Sequence, residues 1–241
     1  MAQKSIAAYE LPERVASYDA DMEIMHPNRA KMIEVALDVL PFSPEQPLRA
    51  LDLGVGTGYF SERFLRRYPH AHVCAVDGAA PMVDLAKARL GSLAERVRFL
   101  VGDFRNLSRF LAQDDFFDVV FSSYALHHLG REDKHAVVVQ ARDRLKTGGW
   151  FLNADILVAD TPEIEKRVQE IRVNGIVQRA RGDVRFADAK ATRSFLDRLE
   201  AADADQPLTL AKDLQILRNA ELRGVTVFWL EYREAVCGGM K

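Results

Sequence analysis

Short apolar runs separated by helix-periodic stretches lay out the plan of this chain. Residues 48–53, 71–76, 97–101 and 117–122 are runs of five or six residues rich in Leu, Val, Ala, Phe and Cys, the length and composition of buried strands. Between them apolar residues return at helical spacing, as at Phe60, Phe64 and Leu65 or at Met82 and Leu85. Strands alternating with helices to about residue 158 predict a doubly wound α/β sheet with parallel neighbours. Ahead of the first run, residues 12–40 read as a helical cap, followed by a loop holding Pro41, Pro44 and Pro47. After residue 158 the alternation breaks, and 161–180 and 188–201 read as helices. Thr161 followed by Pro162 is a good helix start, with Thr as N-cap and Pro at the first helical position. Residues 208–220 predict one more helix, and no repeat or low-complexity tract interrupts the pattern.

Candidate chemistry begins where the first strand ends, in Leu51-Asp52-Leu53-Gly54-Val55-Gly56-Thr57-Gly58. Alternate glycines let the backbone turn sharply and approach a ligand, and the free N–H groups of the next helix favour an anionic group there. A dinucleotide fingerprint needs G-x-G-x-x-G/A, but the sixth position counted from Gly54 is Tyr59, which argues against a nicotinamide cofactor. A nicotinamide-dependent reductase is further disfavoured because no Tyr-x-x-x-Lys pair follows the fourth strand. Asp77, 23 residues after Gly54, ends the second strand about where an acidic residue takes two ribose hydroxyls. Asp103 and Ser122 end the third and fourth runs. Taken singly, Asp77, Asp103 and Ser122 also read as polar caps at strand ends.

The pattern D-x-G-x-G-x-G from Asp52, with Asp77, with Gly102-Asp103-Phe104, with Ser122-Ser123-Tyr124-Ala125-Leu126-His127-His128-Leu129 and with Leu145-Lys146-Thr147-Gly148-Gly149, resembles the class I S-adenosylmethionine (SAM) methyltransferases. The resemblance implies a Rossmann-like, seven-stranded, mostly parallel sheet with a closing antiparallel strand, a helical N-terminal cap and a helical lid insertion. It implies SAM as cofactor, bound by Tyr18, Asp52, Gly54, Gly56, Gly58, Asp77, Gly78, Met82, Asp103, Phe104 and Ser122. Asp52 offsets the ammonium, Asp103 takes the adenine amino group, and Phe104 lies against the ring. Met82 fits either the core or the adenine wall. Residues 225–230 and 233–237 resemble the family's closing strand pair. One domain is then expected: cap 1–45, SAM-binding core 46–158, lid 159–206, closing helix and strands 207–241.

The lid is where acceptor identity is expected. Lys166, Arg167, Arg172, Arg179, Arg181 and Arg185 stand against only Glu170 and Asp183, in a chain whose formal charge is -2. Arg172 and Arg179, seven residues apart, share a helix face with Ile176 and are candidates for an anionic acceptor, the other reading being a solvated face. Tyr124 is a candidate acceptor wall, with Tyr18, His26 and Arg29 as further wall or base groups. His127 is the candidate general base, because an imidazole titrates near neutral pH; a structural role is the other reading. No carboxylate or cysteine set completes a metal site with the histidines at normal sequence spacing, so no metal is expected.

The slightly acidic balance gives no field for a phosphate backbone, so no nucleic-acid partner is expected. A small-molecule acceptor is the expected partner, and a homodimer is left open. Without a long apolar run or a signal-peptide core, and with only Cys74 and Cys237, the chain reads as soluble and cytoplasmic, with no membrane partner. Two other uses of the same cofactor fit the layout. The cap, the insertion and Arg193-Ser194-Phe195-Leu196 are similar to the carboxy-SAM synthases, in which Arg193 would read an extra carboxylate. A non-catalytic SAM-binding regulator would retain every cofactor residue.

Overall fold

The computed structural model describes residues 2–241, with side chains from Ser5 onward. Seven strands, β1 (Arg49–Leu53), β2 (His72–Asp77), β3 (Val97–Val101), β4 (Phe117–Ser123), β5 (Leu145–Ile156), β6 (Arg223–Glu231) and β7 (Glu234–Met240), form one sheet in the order β3-β2-β1-β4-β5-β7-β6. β1 to β5 pair in parallel, and β7 runs antiparallel to both its neighbours. This is the expected seven-stranded Rossmann-like sheet with one antiparallel closing strand. The strand order reverses between β1 and β4, and in open α/β sheets ligands bind at the carboxyl ends of the strands flanking such a reversal.

The parallel strands are apolar on both faces because helices cover both. Ala50, Val73 and Ala75 point into a core filled by Met32, Phe64 and Val83, from α3 (Arg29–Asp38), α4 (Tyr59–Arg67) and α5 (Ala80–Leu90). Leu51, Leu53, Cys74 and Val76 point the other way, against Val137 and Val138 of α6 (Arg131–Arg144) and Ile216 and Leu217 of α9 (Leu210–Asn219). Lys134 of α6 and Asp213 of α9 form a buried ion pair at 2.9 Å on that side.

A third, smaller core lies off the sheet. It joins Met25 of α2 (Pro12–Met25) to Val173 and Ile176 of α7 (Pro162–Arg179) and to Leu196 of α8 (Ala189–Asp203). Cap and insertion therefore share one apolar cluster. Arg185–Asp21 at 2.7 Å and Arg14–Asp203 at 2.8 Å pin them further. The start of α7 is as the sequence predicts, with Thr161 Oγ accepting from Ile164 N–H at 3.4 Å and Pro162 next in line.

Two local features differ from the sequence expectation, and a third agrees with it. An additional helix, α1 (Ala2–Ala8), precedes the cap; seven residues are too few to be helical alone, and it packs on α8. The cap is not continuous. Pro27 disfavours helical backbone at the residue before it, and His26 (φ -131, ψ 70) leaves α2 there. β5 runs on to Ile156, which buries Asp155 within the sheet.

Candidate active site

A cavity of about 870 Å³ opens at the carboxyl ends of β1, β2 and β4. Its floor is the turn after β1. Gly54 adopts φ +79, and a Cβ there would lie 2.5 Å from Ala125 Cβ and 3.5 Å from the Phe104 ring, so only glycine fits. Gly54 and Val55 N–H both donate to Val76 O, at 2.9 and 3.1 Å, which ties the turn to β2. Gly56 N–H donates to Asp77 Oδ2 at 2.8 Å, and Ala79 N–H donates to Asp77 Oδ1 at 2.9 Å. Asp77 thus clamps two turns while lining the cavity, and burial pushes its carboxyl up despite those donors.

Asp52 lies beneath, fully buried, accepting from Ser61 Oγ at 2.6 Å. Burial raises it to about 7; the Ser61 hydroxyl works against this and the nearby Asp77 charge adds to it. No cation offsets this carboxylate among its described hydrogen-bond partners. Asp103 and Phe104 complete one wall. Burial raises the Asp103 carboxyl, but Arg105, whose Nε lies 2.8 and 3.0 Å from its two oxygens, more than offsets that and holds it below the usual range. Met82 lines the cavity as well, as does Gly78, whose missing side chain admits Ile6 of α1.

Two of the sequence candidates for the cofactor fall behind the wall. Gly58 (φ +78) faces Ala86 of α5, 3.2 Å from its would-be Cβ, and serves helix packing. Ser122 is fully buried and donates to Leu53 O at 2.8 Å across β4 and β1; its neighbour Ser123 lines the cavity instead.

The roof comes from the N-terminal helices. Tyr9 and Tyr18 line it, stacked edge to face with centroids 5.9 Å apart. The cap is latched to the glycine turn through Asp19, which accepts from Thr57 Oγ1 at 2.9 Å, Arg29 at 2.9 Å and Arg89 at 2.5 Å. Arg29 also lies over the Tyr59 ring, 3.9 Å from its centroid.

The structure does not bring His127 to this cavity, a correction to its reading as general base. Its Nδ1 lies 2.6 Å from Asp155 and its Nε2 3.5 Å from Asp205. Burial alone would lower its pKa, but the two carboxylates outweigh burial and raise it. His128 lines the cavity in its place.

A second cavity, about 630 Å³, lies between α2, α7 and the β6–β7 turn. His26, Glu234 and Arg233 line it together with Arg172 and Arg179, the two arginines singled out in the sequence. Arg172 pairs with Glu200 at 2.5 Å, and Arg179 Nε donates to Ile24 O at 2.8 Å. Arg233 was not foreseen. It is buried, its Nε and Nη1 have no hydrogen-bond partner, and burial and the Arg172 charge lower its pKa to about 10. Arg193 lines neither cavity; it is committed to Asp197 at 2.8 Å and to Gln169 and Glu200, both at 2.9 Å.

The two cavities share a polar wall. Glu234 Oε1 accepts from Tyr124 Oη, on the first cavity, at 2.8 Å and lies 2.9 Å from His26 Nδ1, on the second. The His26 and Tyr124 rings are 4.7 Å apart. Burial lowers the His26 pKa more than Glu234 raises it, and burial with the Glu234 charge holds the Tyr124 phenol well above its usual range. Tyr124 takes a left-handed backbone (φ +48), the strained turn that delivers its ring to the wall.

Known proteins resemble this chain in sequence and in fold. The family described as "Methyltransferase domain" matches residues 50–149. An uncharacterized methyltransferase of Anoxybacillus flavithermus is 30% identical over 130 residues, 54% of this chain and 57% of that protein. A malonyl-[acyl-carrier protein] O-methyltransferase of Xylella fastidiosa is 33% identical over 136 residues, 56% of this chain and 43% of that protein. The chain thus spans about half the length of these two relatives. An O-methyltransferase family protein from Burkholderia thailandensis shares the fold with a TM-score of 0.67 at 18% identity, covering 97% of this chain and 63% of that one. Residues 50–149 thus match a methyltransferase domain, in line with the resemblance of the glycine turn and strand-end motifs to the class I SAM-dependent methyltransferases. Among the described residues no helix is long and apolar enough to cross a membrane.

Proposed function

We propose that this chain transfers the methyl group of SAM to a small, anionic acceptor by in-line displacement. The observation that carries the reading is the first cavity, where Asp52, the Gly54 turn, Asp77 and the Asp103-Phe104 pair converge from the ends of three strands. The lining fits the cofactor's parts. The Gly54 cradle, which a Cβ would fill, leaves room beside Phe104 for a flat ring. Asp77 spends its known hydrogen bonds on two backbone donors and retains lone pairs for vicinal hydroxyls. The uncompensated Asp52 suits an ammonium group. When bound, SAM supplies a sulfonium methyl already activated for attack. The chain's own residues then bind, orient and exclude water, with Tyr9 and Tyr18 as roof.

The second cavity supports the acceptor class. Arg172, Arg179 and Arg233 line it, and guanidinium groups suit carboxylates or phosphates. His26, kept neutral by burial and oriented by Glu234, is better suited than His127 to take an acceptor proton, through Nε2. Arg193, the residue that would read an extra carboxylate on SAM, is paired with Asp197 and Glu200 and lines neither cavity. Calorimetric titration with S-adenosylhomocysteine tests the cofactor reading. One site per chain, lost in Asp77→Ala, is expected; no binding to the wild-type chain overturns it.

A further inference from the structure

We propose that His127, His128 and Asp205 bind a divalent first-row transition metal ion that ties the end of the helical insertion to the sheet core. The two histidines lie in the single turn Leu126–His128 after β4, while Asp205 follows the end of α8 by two residues. Ala204, at φ +55, turns the chain back toward the core. Gln206 then fixes the approach, its N–H donating to His127 O at 2.7 Å and its side-chain amide to His128 O at 3.2 Å.

Asp205 Oδ1 lies 2.9 Å from His128 Nδ1 and 3.5 Å from His127 Nε2, and the three atoms all fall within 4.8 Å of one another. Bonds of about 2.0 to 2.2 Å to a shared ion place ligand atoms roughly 3 to 3.5 Å apart. The close approach is an ion pair, but its angles are not those of a hydrogen bond. His128 Nδ1 and Asp205 Oδ1 are both buried and face each other without a well-aligned hydrogen bond, an arrangement that a shared ion between the three atoms would satisfy. Behind them, Asp155 takes His127 Nδ1 at 2.6 Å. A carboxylate in that outer position fixes the tautomer and turns Nε2 toward the ion.

Two imidazole nitrogens and one carboxylate oxygen suit Zn²⁺, Mn²⁺ or Fe²⁺ rather than a hard, all-oxygen cation such as Ca²⁺. Because His128 also lines the first cavity and its ring meets Tyr9 edge-on at 5.8 Å, an ion here would stiffen the junction of core, insertion and α1. This site does not depend on the transfer reaction proposed above.

The test uses the untagged full chain, stripped with chelator and titrated with Co²⁺ and then Zn²⁺. Visible absorption and elemental analysis give stoichiometry, and hydrogen exchange reports on 189–206. We expect one ion per chain, affinity about 30-fold weaker in Asp205→Ala and in His128→Ala, about tenfold weaker in Asp155→Asn, and unchanged in His70→Ala. Bound ion should slow exchange at the end of α8. Circular dichroism separates weakened binding from failure to fold, and either of the two ligand variants suffices. Absence of stoichiometric binding by the wild-type chain, equal affinity in the ligand variants, or no added protection in 189–206 would each overturn the proposal.

Discussion

The two cavities are built on opposite principles. The first is assembled from residues that end consecutive strands, so each wall is set by a few neighbouring positions: the Gly54 turn, Asp77, Asp103-Phe104. The second takes His26 from a broken helix, Arg172 and Arg179 from the insertion, and Arg233 and Glu234 from the last hairpin, more than 200 residues from His26. A site made of strand ends is specified locally and suits a constant ligand. A site made where cap, insertion and hairpin meet is free to vary with the acceptor, because the sheet does not depend on it.

The comparison breaks most sharply at Gly54. Gly54→Ala combines a left-handed backbone with a 2.5 Å clash against Ala125, and should weaken S-adenosylhomocysteine more than 100-fold by calorimetry, about 3 kcal/mol. Next is pH. In the free chain Asp52 is mostly protonated below about 7 and ionised above it, and an ammonium group favours the ionised form. Cofactor affinity should therefore fall as pH drops below 7, by up to about tenfold per pH unit, and be flat above it. Asp52→Asn should abolish that slope, which titrations between pH 5.5 and 8.5, on the order of three units, would reveal.

The second cavity should respond in another currency. Arg172→Met and Arg179→Met should raise the acceptor KM about tenfold while leaving S-adenosylhomocysteine affinity within about twofold, an effect of roughly 1.4 kcal/mol confined to the acceptor. Loss of cofactor affinity instead would erase the division between the cavities. The smallest effect is expected at Thr161→Ala, which removes the α7 cap and should cost about 0.5 to 1 kcal/mol in denaturant unfolding without touching cofactor binding.

Much of the sheet was legible in the sequence because its signals are local. Strand-length apolar runs are buried on both faces, and glycine at positive φ follows from the turn itself, so the order of elements and the positions of Asp52, Gly54, Gly56, Asp77, Asp103 and Phe104 follow from neighbouring residues. Ser122 and Gly58 belong to the same motifs, yet side-chain direction along β4 and the close approach of α4 to α5 take them out of the cavity. The choice between His127 and His128 was likewise beyond local pattern, since it depends on Asp155 and Asp205 capturing one ring while the other reaches the cavity.

What the sequence by itself determined is therefore the doubly wound sheet, the cofactor turn and the existence of helices before and after it, because each rests on the chemistry of a few adjacent positions. Only the tertiary structure decided that α1 and α2 roof the cavity, that Arg233 joins Arg172 and Arg179, that Tyr124, Glu234 and His26 form one wall, and that Asp205 meets two histidines. Those are pairings between distant segments. They depend on how apolar faces dock and where Pro27 and Ala204 turn the chain, and no local pattern of hydrophobic and polar residues encodes that.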